Sequence, residues 1–245
     1  MNKQISLNRS TPLAGLGAVL FAHFAARFGN AGGGVPSPFE ATGGDIGAYY
    51  TANSSFTAVS AYLYGLAAIC LVLFAAGLWS RLVTVQSHDA HGWSMVGLVG
   101  TAIYVALLLA LSLMQLALLG VAHREPGSEM IAGMAVVWAV SVALLVPGSV
   151  PMLLGFGMAC RRSGRFSGLL TGFALAGAAL GLAPPPEVIG PLSPAAASLF
   201  FVLSEFQPWL LVFWILGTAF VIRRSELPVE REAEDEPATA EDTAG

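Results

Sequence analysis

The sequence predicts an all-α fold, a polytopic transmembrane helical bundle of about six helices with both termini cytoplasmic. Three observations carry that prediction. Only 11% of the 245 residues are charged and 56% are hydrophobic, with a mean hydropathy of +0.72. Soluble domains carry roughly a quarter charged residues, so this chain has too few to cover a water-facing surface, and its apolar side chains belong against hydrocarbon. Six apolar runs approach the roughly 20 residues that a helix needs to cross a bilayer: 12–29, 56–79, 93–121, 130–158, 168–183 and 199–222. Finally, the cationic residues fall on alternate sides of those runs. With the start of the chain inside, the inner segments hold Lys3, Arg9, Arg81, Arg161, Arg162, Arg165, Arg223, Arg224 and Arg231, and the outer ones only Arg27 and Arg124. That bias orients the bundle in the plasma membrane and requires an even number of spans.

Each run is continuous rather than alternating, which excludes a barrel. The first, 12–29, is short and follows Lys3 and Arg9, as a signal peptide would. His23 and Arg27 occupy the region where a cleavage site would fall, so it reads as a retained span. An outer loop follows, whose Asn30-Ala-Gly-Gly-Gly-Val-Pro-Ser-Pro stretch breaks regular structure. From Asp45 the spacing is helix-compatible and leads into the run 56–79, which places Tyr49 and Tyr50 at the membrane interface. The runs 56–79, 93–121 and 199–222 are unambiguous. The run 130–158 contains Pro147, Gly148 and Pro151, which break or kink a helix in its inner half. Such a break lines binding sites in transporters, or simply accommodates a close neighbour. The short run 168–183 carries Gly168-x-x-x-Gly172 and Gly177-x-x-x-Gly181, spacing that lets two backbones approach, inside the bundle or between copies. Prolines 184, 185, 186, 191 and 194 then stiffen an outer loop.

Residues 225–245 form an acidic tail. Eight acids against Arg231 give it a charge of −7, so the net −4 of the chain leaves +3 for residues 1–224. With few large apolar residues it cannot order itself by burial, and it reads as a disordered cytoplasmic segment. There is no basic patch of the kind nucleic acid requires. Cys70 and Cys160 fall at different depths, so a disulfide is not expected.

The pattern Tyr49-Tyr50-x-x-Asn53, Ala61-Tyr62-Leu63-x-Gly65-Leu66-Ala67 and Phe74-Ala75-x-x-Leu78-x-x-x-Leu82 resembles a large group of uncharacterised bacterial multi-helix membrane proteins. The resemblance is best over residues 45–82 and elsewhere extends only to hydropathy. It implies the six-helix fold and brings no activity or site.

Ionisable groups inside a span are costly and therefore mark candidate sites. His23 and Arg27 stand four apart on one face of the first helix. Glu205 lies at a matching depth in the last, followed by Gln207 and Pro208. The three form either an outer polar pocket or an ion pair locking the first helix to the last. Ser87-His88-Asp89-Ala90-His91 has two histidines but no second ligand pair, which makes a solvated loop rather than a metal site. Asn53-Ser54-Ser55 matches a glycosylation acceptor, a pattern frequent by chance. No nucleophile elbow, zincin, Walker or dinucleotide motif occurs, and no cofactor is implied. The scarcity of embedded polar groups therefore favours a non-enzymatic accessory, structural or lipid-interacting bundle, with membrane lipids and a partner protein or second copy as partners. A small transporter or permease subunit is the first alternative. A membrane enzyme acting on a lipid headgroup through His23, Glu205 and Asp45 is the second.

Overall fold

The computed structural model describes residues 2–30, 34–83, 88–164, 166–183 and 194–224. Side chains are described from residue 10 onward, except at 88–90 and 194–205. Eight α-helices and no strand occur among them: α1 Asn2–Gly29, α2 Gly43–Ala52, α3 Ser54–Val83, α4 His88–Arg124, α5 Glu129–Gly148, α6 Val150–Ser163, α7 Gly168–Gly181 and α8 Pro194–Arg224. Their ends are set locally. Thr42 and Asp45 form a reciprocal capping box at the start of α2, and Ser128 and Ser167 cap α5 and α7. Gly164 closes α6 at φ +65°, a left-handed position that suits a residue without a Cβ.

Five stretches are long and apolar enough to cross a membrane: Ser10–Gly29, Ser54–Val83, His91–Arg124, Glu129–Ser163 and Phe206–Arg224. The sixth expected span, α7, has 14 residues, about 21 Å at the helical rise and short of a full hydrocarbon core. Three helices begin five or more residues earlier than the apolar runs that predicted them, among them α8 at Pro194. α1 starts at Asn2, with Pro12 inside it, and α4 starts at His88, where a loop was expected. The α1 extension contains neither glycine nor proline and the α4 extension only Gly92, so little in the flanking residues stops the helix where apolarity stops.

Six helices close into a ring in the order α1, α3, α4, α6, α7, α8 and back to α1. Each neighbouring pair is antiparallel, as the opposed residues show. Thr11 faces Gly77 and Gly15 faces Phe74 between α1 and α3. Ser112 bonds the Ala61 carbonyl between α3 and α4, and Gly97 meets Phe156 between α4 and α6. Gly157 meets Ala174 and Gly181 meets Val150 between α6 and α7; Gly177 meets Leu210 and Gly217 meets Leu170 between α7 and α8. Hence the start of α1 and the end of α8 lie at one end of the ring. α5 stands outside it against α4 and α2, buried only at Ile131 and Ala135.

Three aromatic side chains meet inside the ring. Phe74, Phe156 and Trp214 come from α3, α6 and α8, every second member of the ring, and each is 1% exposed. Trp214 stacks on Phe156 at 6.1 Å and meets Phe74 edge-on at 6.1 Å. α4 and α6 approach until backbone touches backbone. A Cβ on Gly100 would overlap the Met152 amide, and one on Gly155 would overlap Gly97. Cys70 and Cys160 are both free, as expected.

Candidate functional site

Three irregularities that the sequence shows separately meet at one level of the ring. Pro147 and Pro151 remove two backbone donors, and the chain turns at Ser149 between α5 and α6. α7 ends at Gly181, and a Cβ there would lie 3.1 Å from the Val146 carbonyl and 3.9 Å from Gln207 Nε2. Gln207, immediately before Pro208 in α8, donates from Nε2 to Ser149 Oγ at 2.6 Å, and Ser149 in turn donates to the Val146 carbonyl at 2.8 Å. Both side chains are buried, Ser149 to 1% exposure and Gln207 to 2%. Irregular backbone at membrane depth persists only where protein or water satisfies it. Here a serine and a carboxamide do so, and the absence of a side chain at Gly181 leaves them room.

A second polar layer lies toward the end of the ring opposite the chain termini. Ser60 donates to the Ala25 carbonyl at 2.8 Å, Ser112 donates to the Ala61 carbonyl at 2.7 Å, and Gln115 Nε2 reaches Ser60 Oγ at 3.5 Å. These bonds tie α1 to α3 and α3 to α4. α2 caps this layer. Gly43 and Gly47 rest against the Ser128 and Pro126 carbonyls of the α4–α5 turn so closely that neither position has room for a Cβ. The Tyr49 hydroxyl donates to the Gly29 carbonyl at 3.0 Å, and Tyr50 is buried among Ile46, Leu118, Ile131 and Ala135. Both tyrosines are thus packed against the bundle, because α2 folds onto it. Burial raises the pKa of both phenols, and for Tyr50 the neighbouring Tyr49 adds to it. Asn53 turns its amide back to the Tyr49 carbonyl at 3.0 Å and serves as the α2 C-cap.

Of the three expected site residues, His23 and Arg27 are both exposed on α1, and His23 lies edge-on to Phe24 at 6.1 Å. Glu205 belongs to α8, but its side chain lies outside the described residues. Continuing the antiparallel register from Gly15 opposite Ala219 sets residue 27 level with residue 207, two residues from Glu205. The backbone levels therefore match, and the pairing itself lies outside the described side chains. Among the described residues no group of three or more metal-ligating side chains forms. The glycine pairs of α7 divide: Gly177 and Gly181 pack inside the ring, whereas Gly168 and Gly172 are exposed with open space around them. The proline-rich stretch 184–193 and the acidic tail lie outside the described residues.

The two ends of the ring differ in charge. Arg81, Arg161, Arg162, Arg223 and Arg224 gather where α3, α6 and α8 end, with Arg162 held 5.9 Å above the Trp93 ring. Described side chains at that end include no acid, whereas the opposite end mixes Arg27 and Arg124 with Glu40, Asp45, Glu125 and Glu129.

Sequence reasoning missed Gln115, Ser60 and the Ser149–Gln207 bond. Gln115 is the sole carboxamide in the run 93–121, and that was a readable signal, since a buried amide needs a partner on another helix. The partner's identity was not readable. Compared with protein-family models, with curated proteins and with solved structures, the chain finds no match in any of the three.

Proposed function

We propose that this chain is a six-span integral membrane protein of the plasma membrane with both termini cytoplasmic, acting as a non-enzymatic, lipid-interacting bundle rather than a conduit. The observation that carries the reading is the filled axis. Phe74, Phe156 and Trp214 occupy the place where a path through the ring would run. The arginines at one end of the ring support the orientation, since cationic residues are retained on the cytoplasmic side. Short α7 then counts as the fifth span, with the bilayer thinned or the adjoining residues drawn in to meet it. The candidate grouping of His23, Arg27 and Glu205 acts in this reading as a lock between α1 and α8.

Two measurements test it together. Reporter fusions after Arg224 are expected to be active in the cytoplasm, and gentle extraction followed by native mass spectrometry is expected to find bound lipid. Proton or ion flux in proteoliposomes that Glu205→Gln abolishes without lowering thermal stability would overturn the reading in favour of a transporter. The broken α5–α6 segment at Ser149 is the observation that favours that second reading. There, Gln207→Leu should also stop flux.

A further inference from the structure

Three buried side-chain atoms around α2, α4 and α5 have no hydrogen-bond partner among the described residues: the Tyr50 hydroxyl, Gln115 Oε1 and Trp138 Nε1. Tyr50 is 1% exposed and Gln115 4%. The three belong to one layer. Tyr50 packs in a cluster with Leu118, one turn along α4 from Gln115, and with Ala135, one turn along α5 from Trp138, and Trp138 packs against the same cluster. Ile46 and Ile131 complete its aliphatic part, with Met114 and Met134 beside them.

Unpaired donors and acceptors in a protein interior are uncommon and unfavourable, and hydrocarbon offers no water to relieve them. Taken together, the three groups describe a complement. An indole N–H and a phenol O–H donate, which suits a carbonyl oxygen. A carboxamide oxygen accepts, which suits a hydroxyl. The surrounding side chains are aliphatic, and the two methionines are unbranched and adapt to an irregular guest. We propose that this layer binds the glycerol region of a neutral lipid carrying an ester carbonyl and a free hydroxyl, the diacylglycerol class. The ester oxygen takes the Trp138 and Tyr50 protons, and the lipid hydroxyl donates to Gln115 Oε1. α5 is the side of entry, because it stands outside the ring, only Ile131 and Ala135 of it are buried and Trp138 is only half-buried. α2 is held from above by the contacts of Gly43 and Gly47 and closes the layer. The inference rests on the lipid-interacting reading and names the lipid and its site.

Native mass spectrometry of the full chain in detergent, titrated with 1,2-dioleoylglycerol, tests it on Y50F, Q115L and W138F. Y62F serves as control, since Tyr62 is 67% exposed on α3. Wild type and Y62F are expected to take up one equivalent, and each of the other three to bind about five- to tenfold more weakly, the loss of one neutral hydrogen bond. In lipid-free detergent the thermal midpoint of Y50F is expected to equal or exceed that of wild type, because the removed hydroxyl had no partner. A fall in that midpoint would mean that an enclosed water already satisfies Tyr50, and would overturn the proposal. Equal affinity across all the proteins overturns the site and leaves the lipid-interacting reading standing. Failure of the wild type to retain any lipid through gentle extraction overturns both.

Discussion

The two halves of the ring are held by different means. Near the arginines, helices touch through glycine and aromatic surfaces: Gly97, Gly100 and Gly155 bring α4 against α6, and Phe74, Phe156 and Trp214 fill the axis. Thr101 there donates to the Gly97 carbonyl and Ser163 to the Cys160 carbonyl. Toward the opposite end the ties run between helices through side chains, from Ser60 to Ala25, Ser112 to Ala61, Tyr49 to Gly29 and Gln207 to Ser149. Apolar side chains gain nothing by leaving lipid for one another, so a membrane bundle coheres by dispersion at close range or by hydrogen bonds. Here the closest glycine and aromatic contacts lie toward the arginine end and these four interhelical bonds toward the other. The break at Ser149 lies in the hydrogen-bonded half, where polar side chains answer the freed backbone.

Substitutions should cost most where glycine contacts and the aromatic cluster pack the ring closely. Trp214→Ala opens a cavity between Phe74 and Phe156 and is expected to lose about 3–5 kcal/mol of stability, read from thermal or denaturant unfolding in detergent. Gly155→Val forces α6 off α4 and should cost about 1–3 kcal/mol, with no rescue by any single hydrogen-bonding change. In the other half the effects should be smaller. Gln207→Leu and Ser149→Ala are each expected to cost about 0.6–2 kcal/mol, the range for interhelical hydrogen bonds in membranes. The double variant should cost less than the two added, since both remove one bond. Additive losses would mean that the bond contributes nothing and that the break is held by packing, which would erase the contrast between the halves.

The smallest expected effect is at α2. Asp45 accepts from the Thr42 hydroxyl at 2.7 Å and from the Thr42 amide at 3.1 Å. Those bonds, the hydroxyl first, hold its carboxyl below the ordinary value of 3.8. A group whose folded pKa is lowered contributes stability above its unfolded pKa and loses it as pH falls through the lowered one. Protection of α2 amides from hydrogen exchange, corrected for intrinsic rate, should therefore be flat at neutral pH and fall only on the acid side of that value. Asp45→Asn should flatten the acid limb. An unaltered profile in that variant would remove the capping box from the account.

Apolar length and arginine placement made the bundle and the position of its breaks legible in the sequence. Pro147 and Pro151 announced the turn at Ser149, and the short run after Gly168 announced a short helix. What stayed hidden were relations between distant residues. Nothing in the local sequence tells that Gln207 faces Ser149, or that Phe74, Phe156 and Trp214 converge, because each depends on ring order and rotation. The packing of the α2 tyrosines was hidden for the same reason: nothing local tells that a neighbouring turn, here Pro126 to Ser128, offers α2 a surface to pack on. Charged residues drew attention to His23 and Arg27, which are exposed, while the neutral amides Gln115 and Gln207 were the buried ones.

The central claim is the closed ring, with α1 lying antiparallel to α8 and both ends of the chain at the arginine end. Ser10 and Arg224 are exposed and stand at one level when the contact of Gly15 with Ala219 is continued along both helices. Spin labels at those two positions, in a chain whose Cys70 and Cys160 are replaced, measure it by pulsed dipolar spectroscopy. Adjacent helices 8–10 Å apart predict a label distance below about 20 Å. A distance above about 30 Å, the length of a spanning helix, would place the two ends on opposite sides and contradict the ring.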